Sequence, residues 1–444
     1  MPEISKVKYS DTPMRLGAEY FLERFLIEEA KLKKTNSCKL SDLARLSKEK
    51  IYPAEEPDKT FTYIEIDNVD TVTGEIQPQS VFGHGAPSRA RKRVHNGNII
   101  VSMVRPNRNA VALVPSELDG AVCSTGFAVV IPRNIRPEYL FVYLKTKFAI
   151  NQLVRRTTAS MYPAVTENDV RNLIVAIPPE EIEKTVTKTA VDAKNCFEEA
   201  RSCYAQALNL LYEGVNFNVD LKSEKTYSTS FAKTYSNRLD AEYYQPKYET
   251  LEEKLQNLPN TCSLEEISNP ISSGSYISSY EKKGTLYLRV QNIQELELNM
   301  GDVKYVNPTK HKVSSRIFVQ KNDILLTRTG TNGVALAAPP ESYGAVLSQH
   351  VTRIPLKKGY DPFYIMICLN SKIGRLQTER SVVGSLQKEF IHDSIKKVKI
   401  PFVKSQERIG TLAKNAVSLI SKGKSAMKKA QTILVNMVEK SASA

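Results

Sequence analysis

The residues able to do chemistry in this chain are mostly cations and amides, where a catalyst would need paired carboxylates or an activated thiol. Arg89, Arg91, Lys92 and Arg93 cluster close behind Gly83 and Gly85. Such a cluster reads either as a solvated face or as contacts to a phosphate backbone. Arg105 and Arg108 follow one apolar strand, and Arg328 and Asn332 follow a second of the same pattern. Arginine and asparagine can each grip a base edge with two hydrogen bonds, so turns that carry them suit sequence readout. Stabilising the turn itself is the competing role. Two polar loops, Ser160-Met161-Tyr162 and Ser385-Leu386-Gln387-Lys388, carry a similar mix. With Tyr276 from a Gly/Ser/Tyr loop and Arg289 from an alternating strand, they add Tyr162, Tyr276, Arg289, Gln387 and Lys388 to the candidate nucleic-acid contacts.

Catalytic patterns are poor by comparison. Gly423-Lys424-Ser425 has the tail of a phosphate-binding loop, but Ser418 stands where its first glycine belongs, within a helical pattern. Pro57-Asp58 followed by Glu65-Ile66-Asp67 lacks the lysine of a nuclease constellation. Neither an Asn-Pro-Pro-aromatic element nor a glycine-rich cofactor loop is present, which argues against methyl transfer. The 5 histidines show no ligand spacing, and the 6 cysteines form no CxxC pair. No catalytic residue, metal ligand or cofactor-binding residue is therefore expected.

Composition supports a polyanionic partner. The chain of 444 residues carries a net charge of +14, with 41% hydrophobic and 25% charged residues, as a folded protein of two or three domains would. No apolar run approaches the roughly 18 residues of a membrane span, and the N-terminus has no basic-then-apolar signal, so a cytoplasmic location is expected.

The elements that must position these candidates come in two copies. Val186, Ala190, Ala193, Phe197, Ala200, Tyr204, Ala207 and Leu211 step by fours and threes, the a/d seam of a helix that packs on another helix. The same seam recurs 223 residues later at Ile409, Ala413, Ala416, Ile420, Gly423, Met427, Ala430 and Leu434. Arg15-Leu16-Gly17-Ala18-Glu19-Tyr20-Phe21 likewise returns as Arg238-Leu239-Asp240-Ala241-Glu242-Tyr243-Tyr244. Between these markers each half repeats a short helix, a strand (Thr60–Ile66; Gly284–Val290) and a hairpin-like unit. A helix follows (Pro137–Leu153; Pro362–Leu376), then a polar loop and an apolar strand ending in proline (Leu173–Pro178; Ile395–Pro401).

The chain thus reads as a tandem duplication with pseudo-twofold internal repeat. Two α+β (α/β-like) domains, 1–178 and 238–401, are each followed by a long helix, 179–215 and 402–444, with a linker at 216–237. Packed antiparallel as a coiled coil, helices of about 34 residues would span roughly 50 Å and hold the domains apart.

This pattern resembles the specificity (S) subunits of type I restriction–modification systems. The resemblance rests on Arg238–Tyr244, on Asp323-Ile324-Leu325-Leu326-Thr327-Arg328-Thr329-Gly330 with Gly333-Val334-Ala335, and on Ile400-Pro401 before Gln406-Glu407-Arg408-Ile409, met twice in the same order. The first copy departs in places: Gly17 stands for Asp240, and Glu181 to Glu183 replace the Gln-Glu-Arg-Ile signature. The resemblance implies two target-recognition domains, each reading half of a bipartite, asymmetric site in double-stranded DNA, with the helices as spacer. About 15 base pairs fit along roughly 50 Å. It further implies no catalytic activity in this chain and two methyltransferase (modification) subunits docked on the helices and on the Arg15–Phe21 and Arg238–Tyr244 segments. Restriction/translocase subunits complete the full assembly, and S-adenosylmethionine and ATP belong to those partners. The alternative from another class is a coiled-coil scaffold that does not bind DNA directly.

Overall fold

The computed structural model describes residues 17–158, 161–220, 222–230, 238, 240–384 and 388–443. They form two compact units. One comprises the N-terminal domain to Cys196 together with 422–443, and the other spans 197–421. Mixed helix and sheet in tandem, with a long helix after each domain, is the fold class expected from the sequence. No helix among the described residues is long and apolar enough to cross a membrane.

In the first unit an antiparallel sheet orders the strands Ala44–Leu46, Phe127–Pro132, Ile99–Ser102 and Val111–Leu113. A second sheet orders Gln79–Phe82, Thr60–Ile64, Val122–Ser124 and Ala90–Arg93, with Thr60–Ile64 and Val122–Ser124 parallel. A two-stranded ribbon joins Ser37–Lys39 to Ile174–Ala176. The strand Ile99–Ser102 is buried along its whole length and Phe127–Pro132 over its first four residues, which is why they read as continuous apolar runs with no alternation.

The second unit repeats this plan. Its sheet orders Ser272–Ser273, Val351–Pro355, Asp323–Thr327 and Ala335–Ala337, its ribbon pairs Thr261–Ser263 with Lys399–Pro401, and its second sheet orders Lys304–Val306, Thr285–Leu288 and Val346–Leu347. Among the described residues no counterpart of the basic strand Ala90–Arg93 lies beside Val346–Leu347, where Phe318 makes an isolated bridge to Val346. The copies differ in the strand that carries the cations.

Side-chain brackets repeat with the backbone. The Gln152 amide donates to Ile174 O and accepts from Ile174 N; Gln377 does the same to Lys399. Tyr139 and Tyr364 hydroxyls donate to Ala176 O and Pro401 O. Each bracket ties a helix to the ribbon that closes its domain.

Two expectations need correction. The single helices read at Pro137–Leu153 and Pro362–Leu376 are each two, Pro137–Leu144 then Lys147–Arg155, and Pro362–Asn370 then Lys372–Ser381. Ser371 breaks the second: its backbone is extended and its hydroxyl accepts from Gly374 N, capping a new helix. Likewise Ile395 belongs to a short helix, His392–Lys397, and the last strand is only Lys399–Pro401.

The long helices run Glu180–Gly214 and Gln406–Ser443. Three glutamates in the first turn of the former face the positive end of its dipole. All seam positions are buried except Tyr204, whose hydroxyl donates to Glu295 at 2.6 Å. In the second unit the end of the first long helix lies against the approach to the second, since a Cβ on Gly214 would stand 2.8 Å from Val403 Cβ. Val215, the last residue of the expected helix, and Val219, near the start of the expected linker, pack into the core of this unit.

Candidate nucleic-acid interface

In the first unit the basic strand pairs with Val122–Ser124 through a bulge at Arg91, since Ala90 faces Ser124 and Lys92 faces Cys123. A bulge adds an unpaired residue and re-aims its neighbours. Arg91 lies over the Tyr52 ring at 4.8 Å while its Nε donates to Ser88 O. Lys92 Nζ donates to Glu167 at 2.5 Å and to Phe127 O at 2.6 Å. Arg93 meets Glu49 at 3.5 Å, and the same carboxylate takes His95 at 3.0 Å. Arg89 is exposed at the strand's start, its carbonyl accepting from Thr125 N. The sequence cluster is thus divided. Lys92 and Arg93 are neutralised by acids distant in sequence, while Arg89 faces solvent and Arg91 is shelved on an aromatic ring.

The hairpin turn lies next to the polar loop. Thr158 and Ala164 bond each other through both backbone groups, and Arg105 N donates to Pro163 O at 2.7 Å. Arg105 takes a left-handed backbone, φ 48°, and its guanidinium lies 5.0 Å over the Tyr162 ring. Arg108 is exposed one short turn further on. Thr125, beside Arg89, connects to this turn, because Gly126 O accepts from Met103 N. Arg89, Arg105 and Tyr162 therefore hang on one continuous piece of hydrogen-bonded backbone.

The second unit brings the equivalent segments together in a different chemistry. Thr329 and Val383 each bridge to Glu389. Arg328 donates to the Glu389 carboxylate and to Ser273 Oγ, and Ser273 Oγ also meets His392 Nε2 at 2.5 Å. Burial, with the Arg328 charge alongside, holds His392 below the usual imidazole range. Thr329 Oγ1 contacts His350 Nδ1 at 2.6 Å. Asn332 donates to Lys388 O, while its own Oδ1 is buried with no hydrogen-bond partner among the described residues; Arg328 Nε and Arg289 Nε are in the same state. Lys388 is exposed, 3.9 Å from Glu242. Gln387 and Ser160 lie outside the described residues.

Arg289 is held by Asp302 at 2.9 Å, and Lys304 with Arg289 keeps the Asp302 carboxyl down at about 2. Tyr276 is 73% exposed, three residues beyond Ser273. Sequence reasoning missed Glu389, Ser273, Glu49 and Tyr52, all partners of arginines it singled out. The repeat held one signal: Ala164 and Glu389 occupy equivalent places, so the partner of the first turn locates that of the second.

The repeated Ala-Glu-Tyr-aromatic segment is itself pinned. Arg155 lies 4.1 Å over the Tyr20 ring, donates to Tyr20 O and pairs with Glu29; Arg380 lies 4.5 Å over Tyr243, donates to Tyr243 O and pairs with Glu252. Lys33 and Arg155 outweigh burial to hold Glu29 below the usual carboxylate range. Among the described residues, no group of three His, Cys, Asp or Glu side chains is placed to hold a metal ion.

No family model matches the chain. Over 104 residues, 22% of its length, it is 28% identical to the type I restriction enzyme HindI specificity subunit of Haemophilus influenzae; the match spans 23%, about a quarter, of that relative. Solved structures similar to it include the HsdS subunit from Thermoanaerobacter tengcongensis, at 21% identity and TM-score 0.34 over 90% of this chain and 96% of that one. The type I restriction–modification S subunit from M. genitalium is another, at 13% identity and TM-score 0.42 over 91% and 95%. The resemblance read from the sequence is thus met by a curated relative of the same kind.

Proposed function

We propose that this chain is the DNA-reading subunit, without catalysis of its own, of a type I restriction–modification complex in the cytoplasm. Each globular domain reads one half of a bipartite, asymmetric site. The long helices set the spacing and dock two methyltransferase subunits, which bring S-adenosylmethionine, and restriction subunits bring ATP. The observation that carries this reading is one fold present twice with different surface chemistry at the same turns. Arg105 and Arg108 in one copy answer to Arg328 and Asn332 in the other, and among the described residues only the first copy has a basic strand. A scaffold has no use for two unlike arrays of arginine, asparagine and tyrosine on matched supports; two readers of unlike half-sites do.

Methylation mapping in cells that express the chain with its methyltransferase partner tests the reading. The expected result is one split motif with adenine or cytosine methylation in both halves. Purified protein should bind that duplex with a steep negative dependence on salt. Absence of a motif, together with salt-independent or undetectable binding, would leave the scaffold reading in its place.

A further inference from the structure

Met161 and Tyr162 are the most exposed large apolar residue and one of the most exposed aromatic residues among those described, at 80% and 64%. They sit on a firm support. Thr158 and Ala164 close the loop with two backbone hydrogen bonds of 2.9 and 3.1 Å, Val165 N donates to Met103 O, and Arg105 N donates to Pro163 O. The Arg105 guanidinium backs the Tyr162 ring at 5.0 Å, and Arg108 and Arg89 are exposed on the connected backbone. Apolar side chains held out in water by a hydrogen-bonded base are unfavourable until something apolar covers them. Cations around them select a partner whose apolar part lies between negative charges, which describes a base step between two phosphate backbones.

We propose that the Met161–Tyr162 tip is a wedge that enters the base stack of the first domain's half-site, with Arg105 and Arg108 on the flanking phosphates. This rests on the DNA-reading function proposed above. The tip parts two neighbouring bases and stacks on one of them, so this half-site is read through its deformability as well as its base edges. Leu386-Gln387, at the equivalent place in the second copy's sequence, lies outside the described residues, so the proposal is confined to the first domain.

The test uses the full chain in complex with its methyltransferase subunits and duplexes carrying the mapped site. 2-Aminopurine is placed singly at each position of the first half-site. Fluorescence should rise at one step distinct from the methylated base. Met161→Ala and Tyr162→Ala should abolish that rise and weaken binding roughly 5- to 150-fold, the worth of one stacked base, while Tyr162→Phe keeps both. Salt-sensitive binding with no such step overturns the wedge and leaves the reading of function intact. Release of the methyltransferase subunits by the alanine variants also overturns it, making the tip a protein contact. Failure of the unaltered complex to bind DNA removes the functional reading and the wedge together.

Discussion

Arg328 is surrounded by reasons not to move. It donates to Glu389 and Ser273, its backbone nitrogen donates to His350 O, and its Nε has no hydrogen-bond partner among the described residues. An arginine that reads a base from this position must give up Glu389, so the carboxylate competes with the nucleic acid. We expect Arg328→Ala to weaken binding at the second half-site alone, about 1–3 kcal/mol for one bidentate contact, and Glu389→Gln to relax discrimination there; competition binding with half-site variants measures both. Equal loss at both halves would assign Arg328 to the fold. Lys145 is a purely internal cation. Its ammonium donates to Thr71 O, Asn109 O and Val111 O, and burial brings its pKa from 10.5 down to about 8. Between those values the unfolded chain binds more protons than the folded one, so the first domain should gain stability as pH rises from about 8 to 10.5. The gain approaches about 3 kcal/mol, from the energy of a pKa unit. Thermal melts across that window should show the rise, and Lys145→Met should flatten it.

At the scale of elements, what the sequence revealed depended on periodicity and repetition. The seam helices were legible because one face of small and apolar residues must be buried, and 15 of the 16 seam residues are. The breaks at Lys145-Thr146 and Ser371 were not, because apolar spacing runs on across them and only a serine or threonine cap betrays the new start. The candidate contacts were legible as positions and illegible as states. That Arg105 meets Tyr162, and that Lys92 is neutralised by Glu167, Arg289 by Asp302 and Arg328 by Glu389, depends on pairings between segments apart in sequence. Close helix packing gives the next expectation. Ala200 is completely buried, so Ala200→Leu forces extra methylenes into a filled seam at a cost of about 1–3 kcal/mol. If the helices are a ruler, the variant should lower the melting temperature and blur selectivity for half-site spacing. Unchanged selectivity would make them a tether.

At the scale of the molecule, the duplication is tightest in the supports and loosest in the surface. The glutamine brackets, the tyrosine bonds to the closing ribbons and the arginines over Tyr20 and Tyr243 repeat side chain for side chain, while Glu389 replaces Ala164 and a basic strand exists once among the described residues. The first unit, however, is not made only from the first copy. Glu439 pairs with Lys147 at 2.6 Å and stands 4.0 Å from Lys31, with both lysines helping to keep its carboxyl low, and Met427, Ala430 and Leu434 are buried in the helix segment that belongs to this unit. A chain cut after Ser421 should therefore lose hydrogen-exchange protection in the helix Glu23–Lys34 while the second domain keeps its own. Uniform loss in both would contradict that division. During synthesis the same arrangement imposes an order: the N-terminal domain emerges first yet waits for residues 422–443, so its unit stays incomplete while the whole of the second unit, 197–421, is being made.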